Sequence, residues 1–266
     1  MRLVLLPALM AAVAAAAPAD AADEGDVRVA TVGLGVQNLP RYPGADHRRT
    51  GPLLLFDLSR PGDPIRFKAP DQGIGFGFLG RRSMFDFGPA VRWNYARRAG
   101  RDVPAGMPGV GYSFEAGAFV QATFADAVRL RAEGRKGIGG HKGAVLDLSA
   151  DAIVRDKDDG TLFSIGPRLR LSDSRYQRAY FGVTPGAAAA TGLAAYNPSG
   201  GAHAVGLWSG LTHRFGPRWG AYLYGGYDRL IGHADTSPLV RRYGKRDQVS
   251  GGVALTYSFR VRVPRL

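Results

Sequence analysis

Hydrophobic and polar positions alternate along most of this chain. In TLFSIGPRLRLS, residues 161–172, Phe163, Ile165, Leu169 and Leu171 share one parity, while Ser164, Gly166, Arg168, Arg170 and Ser172 share the other. A period of two with one apolar face marks a half-buried strand. The pattern recurs in SMFDFGPAVRWNYAR, YSFEAGAFVQATF, AVRLRAEGRKGI, GAVLDLSADAIVR, AVGLWSGLTHRF, RWGAYLYGGYDRL and QVSGGVALTYSF. Three earlier stretches, Val27–Val36, Leu53–Leu58 and Ile65–Leu79, are also strand-like, although APDQG (69–73) interrupts the third. The direct count is eleven strands. A single-chain bacterial membrane barrel needs an even number, so about 12 are expected, with about 10 as the alternative. The extra strand would come from Tyr176–Val183 or from a split of 65–79.

Two architectures use many such strands. A soluble sandwich or barrel turns its apolar face inward, whereas a membrane barrel turns it out to lipid and encloses the polar face. The strand-like segments here are near the ~9–11 residues that a tilted strand needs to cross a bilayer; soluble strands are nearer ~5–6. Aromatic residues gather near strand ends, among them Phe85, Trp93, Tyr95, Phe114, Phe124, Trp219, Tyr257 and Phe259, as interfacial girdles do. Links such as LGRRS, ADA, RDKDDG and GPR are tight, and they alternate with long loops rich in Gly, Pro and Arg. The expectation is therefore an all-β fold, a transmembrane antiparallel β-barrel.

That orientation fixes where charge belongs. A lipid-facing Arg near the bilayer midplane costs about 2–4 kcal/mol, so the charged parity must face the lumen. This assigns to the lumen Arg92, Arg129, Arg131, Glu133, Arg135, Asp147 and Asp151, together with Arg168, Arg170, Arg214 and Asp228. Arg168 and Arg170 are expected to pair with Asp147, Asp151 or Glu133 from nearby strands. A second basic set falls in the loops: Arg48 and Arg49, then Arg97, Arg98 and Arg101, then Arg241, Arg242, Lys245 and Arg246. It reads either as a solvated surface or as a site for lipopolysaccharide phosphates.

Composition narrows the compartment. The first residues, MRLVLLPALMAAVAAAAPADAAD, combine an early Arg, an apolar run and an A-x-A site, which is the layout of a secretory signal peptide over residues 1–22. A barrel is expected over 23–259 and a basic tail over 260–266. The net charge is +13, but an exported chain has no nucleic acid to meet. There is no cysteine, so disulfides and thiolate metal sites are excluded. The five histidines show no metal-ligand spacing, and no nucleophile elbow, P-loop or zincin motif occurs. Nothing in the chain calls for a catalytic residue, a metal or a cofactor.

Three phrases carry a further signal: YPGADHRR at 42–49, GPRLRLSDSRYQRAYFGVTPGAAAATGLAAYNPSGG at 166–201 and YDRLIGHADTSPLVRRYGKRDQVSGGVALTYSF at 227–259. In these the chain resembles the MipA/OmpV family of outer-membrane proteins. The resemblance implies a Gram-negative outer-membrane barrel without enzymatic activity. It further implies a scaffold that joins a lytic transglycosylase to a murein synthase, with porin-like or adhesive behaviour as alternatives. No site residues are carried over from the family.

Overall fold

The computed structural model describes residues 26–80, 83–156, 158 and 160–263. The expected signal peptide lies outside these, as do parts of the links at 79–83 and 155–160 and the last three residues of the expected tail.

Among the described residues eleven antiparallel strands form one curled sheet: β1 (Asp26–Pro40), β2 (Arg48–Ser59), β3 (Ile74–Gly75), β4 (Phe85–Asn94), β5 (Ser113–Phe124), β6 (Val128–Gly139), β7 (Ala144–Arg155), β8 (Thr161–Ser172), β9 (Gly201–Arg214), β10 (Trp219–Leu230) and β11 (Asp247–Val263). Consecutive strands pair as hairpins from β3 to β11. β11 then pairs with β1, and β1 with β2, so the order is β2-β1-β11-β10 and onward to β3. The β1–β11 seam runs from Asp26↔Val263 to Asn38↔Gly251. The last strand therefore passes through Phe259 to Val263, and four residues assigned to the tail belong to the wall.

The apolar parity faces out. Leu34, Leu54 and Leu255 sit side by side on three neighbouring strands and are 63%, 65% and 59% exposed. Val120, Val154 and Leu223 continue this outward band. Their inward neighbours, such as Ala254 and Phe119, are buried. Exposed aromatics mark both rims: Trp93, Tyr95, Tyr112 and Phe114 at one end, and Phe85, Phe124, Phe215 and Trp219 at the other. Among the described residues no helix is long and apolar enough to cross a membrane; the strands make the crossing.

One end carries the short links from β5 to β6, from β7 to β8 and from β9 to β10, together with the start of β1 and the end of β11. The turn after β5 is the tightest. Ala125 and Asp126 both have positive φ, at 47° and 52°, and Ala127 N–H donates to the Phe124 carbonyl at 3.0 Å, the mirror-image geometry that suits strand twist. Packing inside the wall is close enough to specify glycine at Gly166, where a Cβ would fall on the Ala150 carbonyl.

The opposite end is covered. Tyr176–Val183, the candidate extra strand, is helical up to Phe181: α1 spans Ser174–Phe181, and Val183 beyond it makes only an isolated antiparallel bridge with Tyr196. Asp173 caps it, accepting from the Tyr176 N–H at 2.9 Å, and Tyr176 and Tyr180 recur four residues apart on its buried face. α2 (Pro185–Thr191) follows, and α3 (Gly232–Thr236) and α4 (Pro238–Tyr243) lie in the last long loop. These helices pack with loop residues Tyr42, Val103, Met107 and Val110 over Val145, Ala204 and Leu230 at the strand tops. The result is a dry lid on the barrel.

The odd strand count has a structural cause. β4 runs away from the short-turn end, so its antiparallel neighbour β3 runs towards it, and β2 does too. A strand running the other way belongs between them, and residues 60–73 do run that way. They leave the wall and fold into the lumen as a strap. Pro61, Pro64 and Pro70 deprive this stretch of ladder donors. Asp71 and Gln72 supply side chains that lipid would not accept.

Candidate functional site

The lumen holds a network of ionised side chains. Register places many partners directly opposite one another: Arg129↔Asp151 between β6 and β7, and Asp147↔Arg170 between β7 and β8. Arg129 meets Asp151 at 3.0 Å, and Arg168 meets the same carboxylate at 2.8 Å. Arg170 reaches Asp228 at 3.0 Å and Asp147 at 3.5 Å. Arg92 pairs with Asp147 at 3.3 Å. Glu133 and Asp147 stand opposite each other, a repulsive pair that Arg135 relieves by contacting both, with Asp147 at 2.7 Å. Arg131 pairs with Glu133. Cross-strand pairs of this kind stabilise register.

Three participants were not assigned from sequence. Glu115 on β5 pairs with Arg135 at 2.8 Å and with His141 at 3.0 Å. Its parity matched the other inward residues, and that was the available signal. His141 sits under the lid, its ring 4.9 Å from that of Tyr176. The third is Asp71, carried in by the strap. Arg168 Nε donates to both of its oxygens at 3.0 Å, Arg170 Nη2 donates at 2.9 Å, and Arg92 donates to its backbone carbonyl. The signal for Asp71 was weak: it is the single acidic residue between Pro64 and Phe85.

Counted together, Arg92, Arg129, Arg131, Arg135, Arg168 and Arg170 face Asp71, Glu115, Glu133, Asp147, Asp151 and Asp228. Six charges meet six, so the network is neutral. Every member has a counter-ion, the condition under which buried charge is tolerated. Arg214 stands outside it. It is exposed at the foot of β9, beside the turn to β10, so its inward parity ends at the rim.

Further fasteners hold the strap. Gln72 accepts from Arg129 at 2.9 Å, Gly73 N–H donates to Glu133 at 3.0 Å, and Arg155 donates to the Ile65 carbonyl at 2.5 Å. Lys68 Nζ crosses to β2, donating to the Phe56 carbonyl at 2.8 Å and meeting Asp57 at 3.2 Å. Below the strap, at the short-turn end, lies a cavity of about 580 Å³ lined by strap residues, the feet of β4 to β7 and the ragged end of β3.

The loop cations divide. Arg97 is buried and does not belong to a surface patch. Its guanidinium donates to the carbonyls of Tyr180 at 2.7 Å, Ala179 at 2.8 Å and Pro108 at 3.1 Å, serving carbonyls that the end of α1 leaves unpaired. Burial pulls its pKa down, and nearby Tyr42 opposes that shift. Arg49 lies flat on the Tyr95 ring, 3.1 Å from its centroid, and Arg48 donates to the Val249 carbonyl at 2.7 Å. Arg98, Arg101, Arg241, Arg242, Lys245 and Arg246 are exposed, the last pairing with Asp235 at 3.0 Å. Among the described residues, no three His, Asp or Glu side chains converge to hold a metal.

The family model described as "MltA-interacting protein MipA" matches residues 32–259. No curated protein matches the chain. Solved structures with some likeness include the KdgM porin, at 10% identity and a TM-score of 0.37, with 88% of this chain and 99% of that one covered. Neisserial surface protein A matches at 11% and 0.26, with 90% and 97% covered. OprG from Pseudomonas aeruginosa matches at 7% and 0.28, with 88% and 97% covered. Scores this low say nothing of this chain's fold or function, which rest on its own geometry and on the family match.

Proposed function

Because the chain belongs to the MipA family and is an outer-membrane β-barrel protein of the Gram-negative envelope, we propose that it is a non-enzymatic scaffold for murein-remodelling enzymes. A lytic transglycosylase and a murein synthase are the partners this reading names. The observation that carries it is the filled lumen. A neutral ionic network occupies the middle, the strap lies across it, and the dry lid covers the long-loop end. A barrel so closed works through its surfaces. Short turns in such barrels face the periplasm, where murein lies, and the strap and its cavity open at that end.

The filled lumen also speaks against the narrow arginine-lined channel, because each of the six arginines of the network is spent on a carboxylate. The basic loops at the lidded end fit contact with lipopolysaccharide phosphates, which would anchor the scaffold without taking part in partner choice.

The test is a pull-down of the full chain from detergent-solubilised envelopes. Recovery of a murein hydrolase or synthase well above a control barrel is the expected result. Recovery at background would overturn the reading.

A further inference from the structure

The sheet is open along one line. β2 and β3 are its two ends, and among the described residues no backbone hydrogen bond joins them. Towards the long-loop end the gap is bridged, because Arg49 of β2 lies on the ring of Tyr95, just beyond β4. Towards the short-turn end, Phe56 on one side and Ile74 and Phe76 on the other stand exposed. Backbone groups along such a gap find no partner in lipid. β2 and β3 run the same way, so antiparallel pairing across the gap takes one strand that runs against both.

The strap has the makings of that strand, and both of its ends are already turned. Asp63 N–H donates to the Arg60 carbonyl at 3.1 Å across Pro61 and Gly62. Gly62 has a φ of 83°, so this is the arrangement of a type II turn. Gln72 N–H donates to the Ala69 carbonyl at 3.3 Å across Pro70 and Asp71. Continuing the first turn as a hairpin sets Leu58 opposite Ile65 and Phe56 opposite Phe67. Continuing the second sets Phe67 opposite Ile74 and Ile65 opposite Phe76. Apolar residues of the outward parity meet on both edges, and Asp57 comes to face Arg66 on the inward side. A slip of one residue would reverse every one of these faces.

Two features hold the strap in the lumen instead. Asp71 is bound by Arg168 and Arg170, and a type II turn splays the arms of a hairpin against the twist of the strands. The prolines weaken a ladder here without forbidding it. Pro61 and Pro70 lie inside the turns, and Pro64 stands at the head of the segment, where a strand tolerates it. Lys68 already touches the edge of the gap, through the Phe56 carbonyl and Asp57.

We propose that residues 64–69 have two seats: the lumen seat described above, and a wall seat between β2 and β3 in which they form a twelfth strand. Exchange trades the ionic fastening of Asp71 for backbone ladders on both edges. It passes through a released strap that water reaches. In the wall seat the strap no longer lies across the lumen.

The test exploits the absence of cysteine. Phe56→Cys with Phe67→Cys sets two thiols opposite each other in the wall seat, whereas Phe56→Cys with Arg66→Cys sets them on opposite faces. Each full chain is refolded in lipid vesicles and oxidised with copper phenanthroline, and a heat-modifiable gel band verifies the barrel. The 56–67 disulfide should form at least about tenfold faster than the 56–66 one, since thiols on opposite faces cannot meet the required geometry. Two changes that favour the wall seat by unrelated means should each speed it at least about fivefold: Asp71→Ala, which unfastens the strap, and Pro61→Asn, which makes the Asn-Gly turn of a hairpin. Pro61→Asn leaves the ion network intact, so it decides the matter if Asp71→Ala does not fold. A 56–66 disulfide as fast as the 56–67 one would mean that the strap is merely loose, and would overturn the proposal. So would a 56–67 disulfide that does not form, or that neither change speeds.

Discussion

Asp71→Ala tests whether the strap is held by the carboxylate it carries to Arg168 and Arg170. In the native lumen Asp71 accepts from Arg168 and Arg170. Breaking a buried ion pair costs about 3–5 kcal/mol when it strands the partner charge. Neither arginine is stranded here: Arg168 keeps Asp151 at 2.8 Å and Arg170 keeps Asp228 at 3.0 Å. The expected loss is therefore smaller, about 2–3 kcal/mol. Asp71→Asn, which keeps the shape and an acceptor, should cost about 1–2 kcal/mol. Urea unfolding of the full chain in lipid vesicles reads these values. A second readout follows the strap itself. The chain has no cysteine, so Ala69→Cys, at a position only 5% exposed, introduces a unique thiol. That thiol should resist a membrane-impermeant maleimide in the parent and react in the Asp71→Ala background. An unfolding midpoint equal to the parent's, with the thiol still protected, would refute the idea that Asp71 fastens the strap.

The outward face makes its own demand. Leu255→Arg places a cation in the apolar band and should cost about 2–4 kcal/mol in lipid, as vesicle unfolding would show; a neutral result would contradict the lipid-facing orientation. At the lid, Arg97→Met removes the donor from three carbonyls and should cost about 2–4 kcal/mol, seen as rapid proteolytic cutting within 95–112 and 173–200 while the barrel core survives. Alkali tests the lid differently. Burial pushes Tyr42 and Tyr180 up to about 12, and Arg97 opposes the rise in both. A raised phenol pKa contributes stability that is whole below the free value near ~10 and is lost as pH climbs from there through about 12. Phenolate absorbance should lag that of a denatured control, and the lid should loosen in the same window; titration coincident with the control would deny the packing.

The wall was legible because its code is binary. Phe163, Leu169, Leu146 and Leu255 announced outward parity by alternation alone, and Arg129, Asp147 and Arg168 followed by exclusion from lipid. The lid was not legible in the same way. SRYQRAYFGV carries Tyr, Tyr, Phe and Val in spacing that satisfies a loose strand pattern, yet Asp173 at the cap position and Tyr176 with Tyr180 four apart were helix signals, and these prevailed. Arg97 reads as a loop cation because it shares one long loop with Arg98 and Arg101; nothing local separates a buried arginine from them, since two of the three carbonyls it serves, those of Tyr180 and Ala179, lie far along the chain on α1. Arg214 shared the inward parity but stood too near the strand end for parity to matter. The strap shows the limit most clearly. Ile65, Phe67 and Ala69 alternate as a strand would, and only the prolines and Asp71 hinted that the segment had left the wall.

The seam between β1 and β11 also bears on how the molecule is made. Its two strands are the first and the eleventh in chain order, so no local event can join them. During synthesis and export β1 has only β2 beside it, and its other edge waits, unpaired, for β11 to emerge. Loop closure over such a span is slow, and a waiting apolar edge invites association with other chains. Closure then depends on the final strand, and loss of even Arg260–Val263 would shorten the join at the terminus through which Asp26–Val29 are secured.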